Sequence, residues 1–444
     1  MTYCAHMRLV DIDTHPEAGK VGRDAIQLIT ELYPICRSIT GDGVRETLNR
    51  IGQHIPLTIR YVPTGTRVFD WTVPREWNIR DAYVKNSRGE RIIDFHKSNL
   101  HVMSYSVPVR QTLSLQELRA HLHTIPEHAD WIPYRTSYYS ENWGFCLSHR
   151  QYLELEDDEY EVCIDSTLEH GHLTYGECFL PGETTDEVLF SSHVCHPSLC
   201  NDNLSGIALA VSVAKRLNMI PHRYSYRFLF APATIGPISW LAAKEQQTGR
   251  IKHGLILACV GDRGKTTYKK SRRGNAEVDR AAAHVLKHSG QDYVINEFSP
   301  WGYDERQFCS PGFNLPIGCL MRTPNGCFPE YHSSADDLEF VRPEHLDDSF
   351  NKCMSIVDVL ENNRTYTNQN PKCEPQLGKR GLYRKMGGEA QASENQLAML
   401  WVLNFSDGDH SLLDIAEKSG LPFSALRQAA HALSQHDLLK AQAS

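Results

Sequence analysis

Glu187-Val188-Leu189-Phe190-Ser191-Ser192-His193-Val194-Cys195-His196-Pro197-Ser198-Leu199-Cys200-Asn201-Asp202-Asn203-Leu204-Ser205-Gly206 is the stretch on which the reading of this chain turns. Its first five residues form an apolar run of strand type, and the following Ile207-Ala208-Leu209-Ala210-Val211-Ser212-Val213-Ala214 predicts a buried helix. A polar loop between such a strand and helix lies beyond the carboxyl end of the strand, where open α/β sheets bind ligands. His193 at the strand end and Asp202 at the helix start can converge on one metal ion. The pattern predicts a metal-dependent hydrolase.

Strands and helices alternate on either side of this stretch, the signature of a mainly parallel sheet flanked by helices. The apolar runs predict strands at 171–179, 187–193, 224–231, 254–260 and 315–321, with helices at 203–217, 238–248, 275–289 and 343–362. Residues 18–55 carry helical periodicity interrupted by Gly41-Asp42-Gly43, and 18–57 with 172–362 make up the expected catalytic domain. Between them, 58–171 changes to short strands with turn signals and reads as an inserted β-rich lobe. Residues 363–394 are polar and read as a linker or arm. Residues 395–444 hold three helical segments with a glycine turn at Gly420, the pattern of a winged helix-turn-helix. That last segment has Lys418, Arg427 and Lys440 against Asp407, Asp409, Asp414, Glu417 and Asp437, so attraction to phosphate is missing. A docking or homo-oligomerisation module is expected rather than a reader of nucleic acid.

Composition limits the alternatives. With 444 residues the chain exceeds one ordinary core, and 41% hydrophobic with 23% charged residues fits a soluble globular protein. A formal charge of −8 gives no reason to expect nucleic acid as a partner. No apolar run approaches the roughly 20 residues of a membrane span, so no membrane partner is expected. The start, Met1-Thr2-Tyr3-Cys4-Ala5-His6-Met7-Arg8, lacks the pattern of a secretory signal. Thirteen scattered cysteines without a C-x-x-C pair indicate neither a disulfide framework nor a zinc knuckle, and a reducing cytoplasm is the expected location. Cys195 and Cys200 flank the histidines and are expected to pack as small apolar residues.

Four metal-competent residues fall where strands end: His193, Asp202, Asp262 in Val260-Gly261-Asp262, and His332 in Glu330-Tyr331-His332-Ser333-Ser334-Ala335-Asp336. Each has a plainer explanation alone, as a helix cap or a turn residue. Their agreement carries the metal assignment, and imidazole nitrogen with carboxylate oxygen suits zinc. His196 competes with His193, although Pro197 restricts its backbone and favours a role lining the site. Asp336, four residues past His332, is a candidate to orient a ligand imidazole.

His193 followed by Asp202-Asn203-Leu204-Ser205-Gly206, then Asp262, then His332, resembles the metal framework of the zinc exopeptidases that include bacterial aminopeptidases and glutamate carboxypeptidases. Five separated runs resemble a bacterial aminopeptidase-like family more closely: 193–206, Pro232-Ala233-Thr234-Ile235-Gly236, Ser271-Arg272-Arg273-Gly274, Asp304-Glu305-Arg306-Gln307 with Ser310-Pro311-Gly312-Phe313-Asn314, and 331–336. The resemblance covers nearly the whole chain. It implies a zinc-peptidase domain with an inserted β lobe and a C-terminal winged helix. It also implies a link to polysaccharide or natural-product biosynthesis, with an amide in a small peptide-like or biosynthetic intermediate as the bond cleaved.

One position departs from the family pattern. The resemblance implies a glutamate general base where this chain has Ala233. Such a base contributes on the order of 100-fold to 10,000-fold, so the chain is expected to turn over poorly. An engineered inactive variant is the favoured explanation, because the ligand set is intact; a natural pseudoenzyme and a base supplied by Glu305 or Glu330 are the others. Two-zinc relatives place acidic residues at this position, and Ala233-Thr234 offers none, which favours one zinc held by His193, Asp202 and His332 over two. Asp262 is then a fourth ligand or a supporting group. For substrate, Glu141 is a candidate for a free amine, Tyr139 or Trp143 for packing, Arg306 with Arg272 and Arg273 for an anionic group, and Tyr331 for the oxyanion. The same sequence admits deacylation of an N-acylated sugar or small metabolite, a catalytically dead zinc-binding scaffold, or transcriptional regulation as alternatives.

Overall fold

Eight strands form the main sheet of the computed structural model: β1 (Leu57–Pro63), β2 (His172–Leu180), β3 (Glu187–His193), β4 (Ser225–Ala231), β5 (Ile251–Leu257), β6 (Thr266–Lys269), β7 (Tyr293–Asn296) and β8 (Ile317–Met321). Their order across the sheet is β1-β2-β4-β3-β5-β8-β6-β7. The central strands β4, β3, β5 and β8 are parallel, whereas β1, β2 and β6 join antiparallel at the flanks. The structure describes residues 19–382 and 393–442. Residue 18 of the expected first domain and 383–392 of the expected polar arm lie outside the described residues.

Every residue of β3 and β4 is buried, as strands covered on both faces require. In their register His193 lies opposite Ala231, so the carboxyl ends of β3 and β4 bring His193 and the segment Pro232-Ala233-Thr234 side by side. Gly206 opens the helix Gly206–Leu217 behind β3, and a Cβ there would come 2.3 Å from the Leu257 carbonyl oxygen. Only glycine admits that approach of helix to sheet.

A buried ion triad crosses three neighbouring strands. Arg227 on β4 donates to both carboxylate oxygens of Glu187 on β3, at 2.6 and 2.9 Å, and to Glu177 on β2 at 2.5 Å. Trp240 Nε1 donates to the same Glu177 oxygen at 3.0 Å. Removing the guanidinium would strand two buried carboxylates. Arg227→Ala is expected to lower stability by about 3 to 5 kcal/mol in urea unfolding.

The lobe contains a four-stranded antiparallel sheet in the order Arg91–Asp94, Glu76–Lys85, Glu159–Glu169, Val109–Ser114. Ala82, Val84, Phe145, Val162 and Ile164 form its core. The strand Leu57–Pro63 is a correction to the expected lobe boundary at 58. It pairs with β2 in the main sheet, from Leu57 opposite Cys178 to Pro63 opposite His172. Its alternating pattern fits either sheet, and only a partner more than a hundred residues away decides between them.

Residues 275–293 and 351–442 group into a second compact unit. Sequence periodicity assigns the helix Glu277–Lys287 to the catalytic domain, but it groups instead with the C-terminal segment. Within this unit Arg280 donates to Asp414 and to Glu417, each at 2.6 Å. The winged fold comprises helices Glu394–Phe405, Leu412–Ser419 and Phe423–Gln435, with strand Thr365–Asn368 between Asp407–Ser411 and Leu439–Ala441. Thr365–Asn368 thus turns the start of the expected linker into part of the wing sheet. Ser411 caps its helix in a reciprocal box with Asp414, and Gly420, at φ +71°, ends the same helix. Among the described residues no helix is long and apolar enough to cross a membrane.

The backbone N–H of Phe423 donates to His284 Nε2 at 3.1 Å, which requires an unprotonated nitrogen there. Burial, with smaller contributions from His288 and Lys287, pulls His284 down to about 4 from 6.5. A depressed folded-state value means that the stabilisation is full above pH 6.5 and is lost as pH falls to about 4. Thermal melts of His284→Gln across that window are expected to show a flatter pH dependence than the native chain.

Candidate metal centre

β3 delivers His193 at its last position, and the chain then passes through His196 to a wide turn at Cys200–Ser205. Asp202 (φ −111°, ψ 80°) and Asn203 (φ −145°, ψ 34°) leave helical geometry within that turn. His193 Nε2 lies 3.0 Å from Asp202 Oδ1, and His332 Nε2 lies 3.0 Å from Asp202 Oδ2. His196 Nε2 is 3.9 Å from that second oxygen. His193, His196 and Asp202 can each offer a ligand atom within 4.8 Å of the others. Residues far apart in sequence therefore meet around one buried carboxylate.

The surrounding hydrogen bonds hold this carboxylate in place. Asp336 accepts the backbone N–H of Asn201 at 2.6 Å and that of Asp202 at 2.9 Å. It anchors the Asp202 backbone, where the sequence suggested that it orients an imidazole. Asn203 Nδ2 donates to Ser192 Oγ at 2.9 Å and to the Leu257 carbonyl at 3.1 Å, and stands 3.2 Å from His193 Nδ1. The His332 carbonyl accepts the N–H of Tyr134 at 2.8 Å, and the Tyr134 ring lies 5.1 Å from both His196 and His332. Arg37, fully buried, donates through Nε to the His196 carbonyl at 2.9 Å.

Burial by itself would raise the Asp202 carboxyl, but His196, His193 and His332 hold it well below the usual carboxylate range. Burial drives His196 well below the ordinary histidine value, leaving the neutral imidazole that metal binding requires. Asp336 is pushed up to about 8, chiefly by burial and against the two backbone N–H groups it accepts. Cys195 and Cys200 are buried and burial pushes both thiols up, so they pack rather than react.

Asp262 stands apart from the histidines. Its oxygens accept Asn201 Nδ2 at 2.9 Å, Gly264 N at 2.6 Å, Thr323 N at 3.2 Å and Thr323 Oγ1 at 2.7 Å. That geometry makes it a brace for the turn before Asp202, not a member of the donor cluster. Tyr331 stacks on the His332 ring at 4.0 Å. Arg306 Nη2 reaches Thr234 Oγ1 at 3.5 Å, beside Ala233, whose carbonyl lies 3.9 Å from Cys195 Sγ. Tyr139 is half exposed and meets Trp71 edge-on at 5.3 Å. Glu141 is exposed and ion-paired with Arg75. Trp143 stacks on His121 at 3.6 Å and packs against the lobe core. Arg272 and Arg273 donate to Asn314 at 3.1 and 2.8 Å. Tyr134, Tyr303 and Asp304 escape the sequence reading, because no metal or catalytic spacing marks them. Asp304 does lie inside a run that carries the family resemblance.

A large α/β sheet with a histidine and aspartate cluster beyond the carboxyl ends of its parallel strands is the aminopeptidase-like class of fold. The chain belongs to the family described as Domain of unknown function (DUF4910), whose profile matches residues 26–363, and residues 364–441 match a winged helix-turn-helix family. A Clostridium acetobutylicum protein described as a polysaccharide biosynthesis protein with an aminopeptidase-like domain is 56% identical over 423 residues, covering 95% of this chain and 97% of its own length. A crystal structure described as a peptidase from Clostridium acetobutylicum superposes with a TM-score of 0.92 at 54% identity, covering 96% of this chain and 97% of that one. A zinc aminopeptidase from Bacillus subtilis shares the fold, with a TM-score of 0.56 at 12% identity over 76% of this chain and 94% of that one.

Because Asp336 fixes the backbone on which Asp202 is mounted, Asp336→Ala is expected to weaken divalent-metal affinity roughly 10- to 100-fold, read by metal titration calorimetry.

Proposed function

We propose that this chain is a zinc-dependent amide hydrolase of aminopeptidase type. The observation that carries the reading is the convergence of His193, His196 and His332 on buried Asp202. Imidazole nitrogens and a carboxylate oxygen are the donor set zinc prefers. His193, Asp202 and His332 would hold the ion, with His196 as a further donor. When bound, zinc supplies Lewis acidity toward the scissile carbonyl. A single ion fits better than two, since Ala233-Thr234 provides no carboxylate for another.

The remaining roles fall to this chain's own groups. Tyr331, stacked on His332, is held protonated because burial and the nearby Asp202 raise its phenol, and it can donate a hydrogen bond to the oxyanion. Arg306, beside Thr234, meets a carboxylate or phosphate on the substrate in this reading. Tyr139 offers an exposed aromatic face to a substrate ring. The relative's description supports a small peptide-like or amide-bearing intermediate of polysaccharide biosynthesis as substrate. Ala233 itself offers no proton acceptor.

Zinc-loaded Ala233→Glu is expected to hydrolyse aminoacyl amides or N-acyl amino sugars about 100- to 10,000-fold faster than the unsubstituted chain. No gain would remove position 233 from the mechanism. Absence of tightly held zinc by elemental analysis would overturn the whole reading.

A further inference from the structure

One carboxylate beside the cluster has no part in the interactions described so far. Asp304 precedes the short helix Glu305–Phe308 and is only 3% exposed, yet its carboxylate neither caps that helix nor forms an ion pair or hydrogen bond with any described residue. A carboxylate on a largely buried residue with no side-chain partner holds its proton more tightly, and such groups collect where chemistry needs them.

The residues on either side of it fix its position. Tyr303 stacks on the His193 ring at 5.3 Å and meets Cys259 Sγ through its hydroxyl at 2.8 Å. Arg306, two residues on, reaches Thr234 at 3.5 Å. Tyr303 and Arg306 thus tie the turn that carries Asp304 to His193 and to the segment that holds Ala233. The neighbouring side chains register its charge: His193 acts on Asp304, and Asp304 acts on Cys195 and Tyr139. The acids that the sequence offered as substitutes sit in other surroundings. Glu305 is fully buried against Lys269 at 2.7 Å, and Glu330 lines an open groove with Trp131, Arg263 and Arg342.

We propose that Asp304 is the catalytic base of this chain, doing from its own turn what alanine at position 233 cannot do. The inference rests on the amide-hydrolase reading above. Asp304 accepts a proton from the attacking water as the water oxygen bonds to the amide carbon. It returns that proton to the amine nitrogen as the carbon–nitrogen bond breaks. One water is consumed, an acid and an amine are released, and no other reactant is needed. Burial raises the Asp304 carboxyl to about 6, with Glu305 adding to the shift and His193 and Arg306 opposing it. It is therefore ionised at neutral pH and basic enough to hold a proton briefly.

The test uses the full zinc-loaded chain, a panel of aminoacyl amides and N-acyl amino sugars, and Asp304→Asn in both the native and the Ala233→Glu backgrounds. In the native background Asp304→Asn is expected to lower kcat by about 100-fold or more, with KM and zinc stoichiometry unchanged. In the Ala233→Glu background the same change is expected to cost little. Equal losses in both backgrounds would mark a structural role and overturn the assignment, as would no loss in the native chain. Turnover confined to Ala233→Glu would likewise overturn Asp304 while leaving the hydrolase reading intact. No turnover in any background would sink that reading and this one together. A second readout needs no turnover: in the metal-free chain, a carbon-13 aspartate carboxyl resonance absent from Asp304→Asn is expected to titrate near pH 6, and titration near the ordinary 3.8 would overturn the proposal.

Discussion

The candidate site depends on keeping the Asp202 carboxylate ionised out of contact with water. A bare carboxylate in such a place would take up a proton, because desolvation penalises its charged form. Imidazoles on both oxygens reverse that tendency. Much of the nearby chain is arranged to keep these groups together: Asp336 holds the backbone, Asn203 ties the turn to β3 and the end of β5, and Asp262 braces Asn201. The sheet contributes by ending β3 at His193, level with Ala231 on β4.

This arrangement divides three jobs among three acidic residues. Asp202 presents its oxygens to the rings, Asp336 accepts backbone N–H groups, and Asp262 accepts from side chains and the Gly264 turn. The Asp304 side chain accepts no hydrogen bond from any described residue. Four buried aspartates in one region thus differ through their partners rather than through their chemistry.

The parts legible in sequence were those with a short-range cause. Continuous apolar runs marked β3 and β4, and the helix 343–362 showed its full length through its periodicity. His193, Asp202 and His332 could be picked out because each sits where a strand or loop ends, and the family resemblance tied them together. What stayed hidden depends on distant partners. The bracing role of Asp262 needs Asn201 and Thr323, the pairing of Leu57–Pro63 needs β2, and the triad around Arg227 needs acids on two other strands. The helix Glu277–Lys287 shows the right period but not the surface it covers. Asp304 looked like an ordinary acid in a polar run, because only its isolation in space distinguishes it.

The lobe segment at Ile132–Tyr134 is stitched to the loop that carries His332. Ile132 N donates to Ser334 Oγ at 2.9 Å, Ser334 N returns to the Ile132 carbonyl at 2.8 Å, and Tyr134 N donates to the His332 carbonyl. The inserted lobe is therefore not an ornament that evolution could exchange freely among sheets of this type. A recombination that kept the histidine loop but imported a foreign lobe would have to supply these bonds anew or leave that loop without its splint.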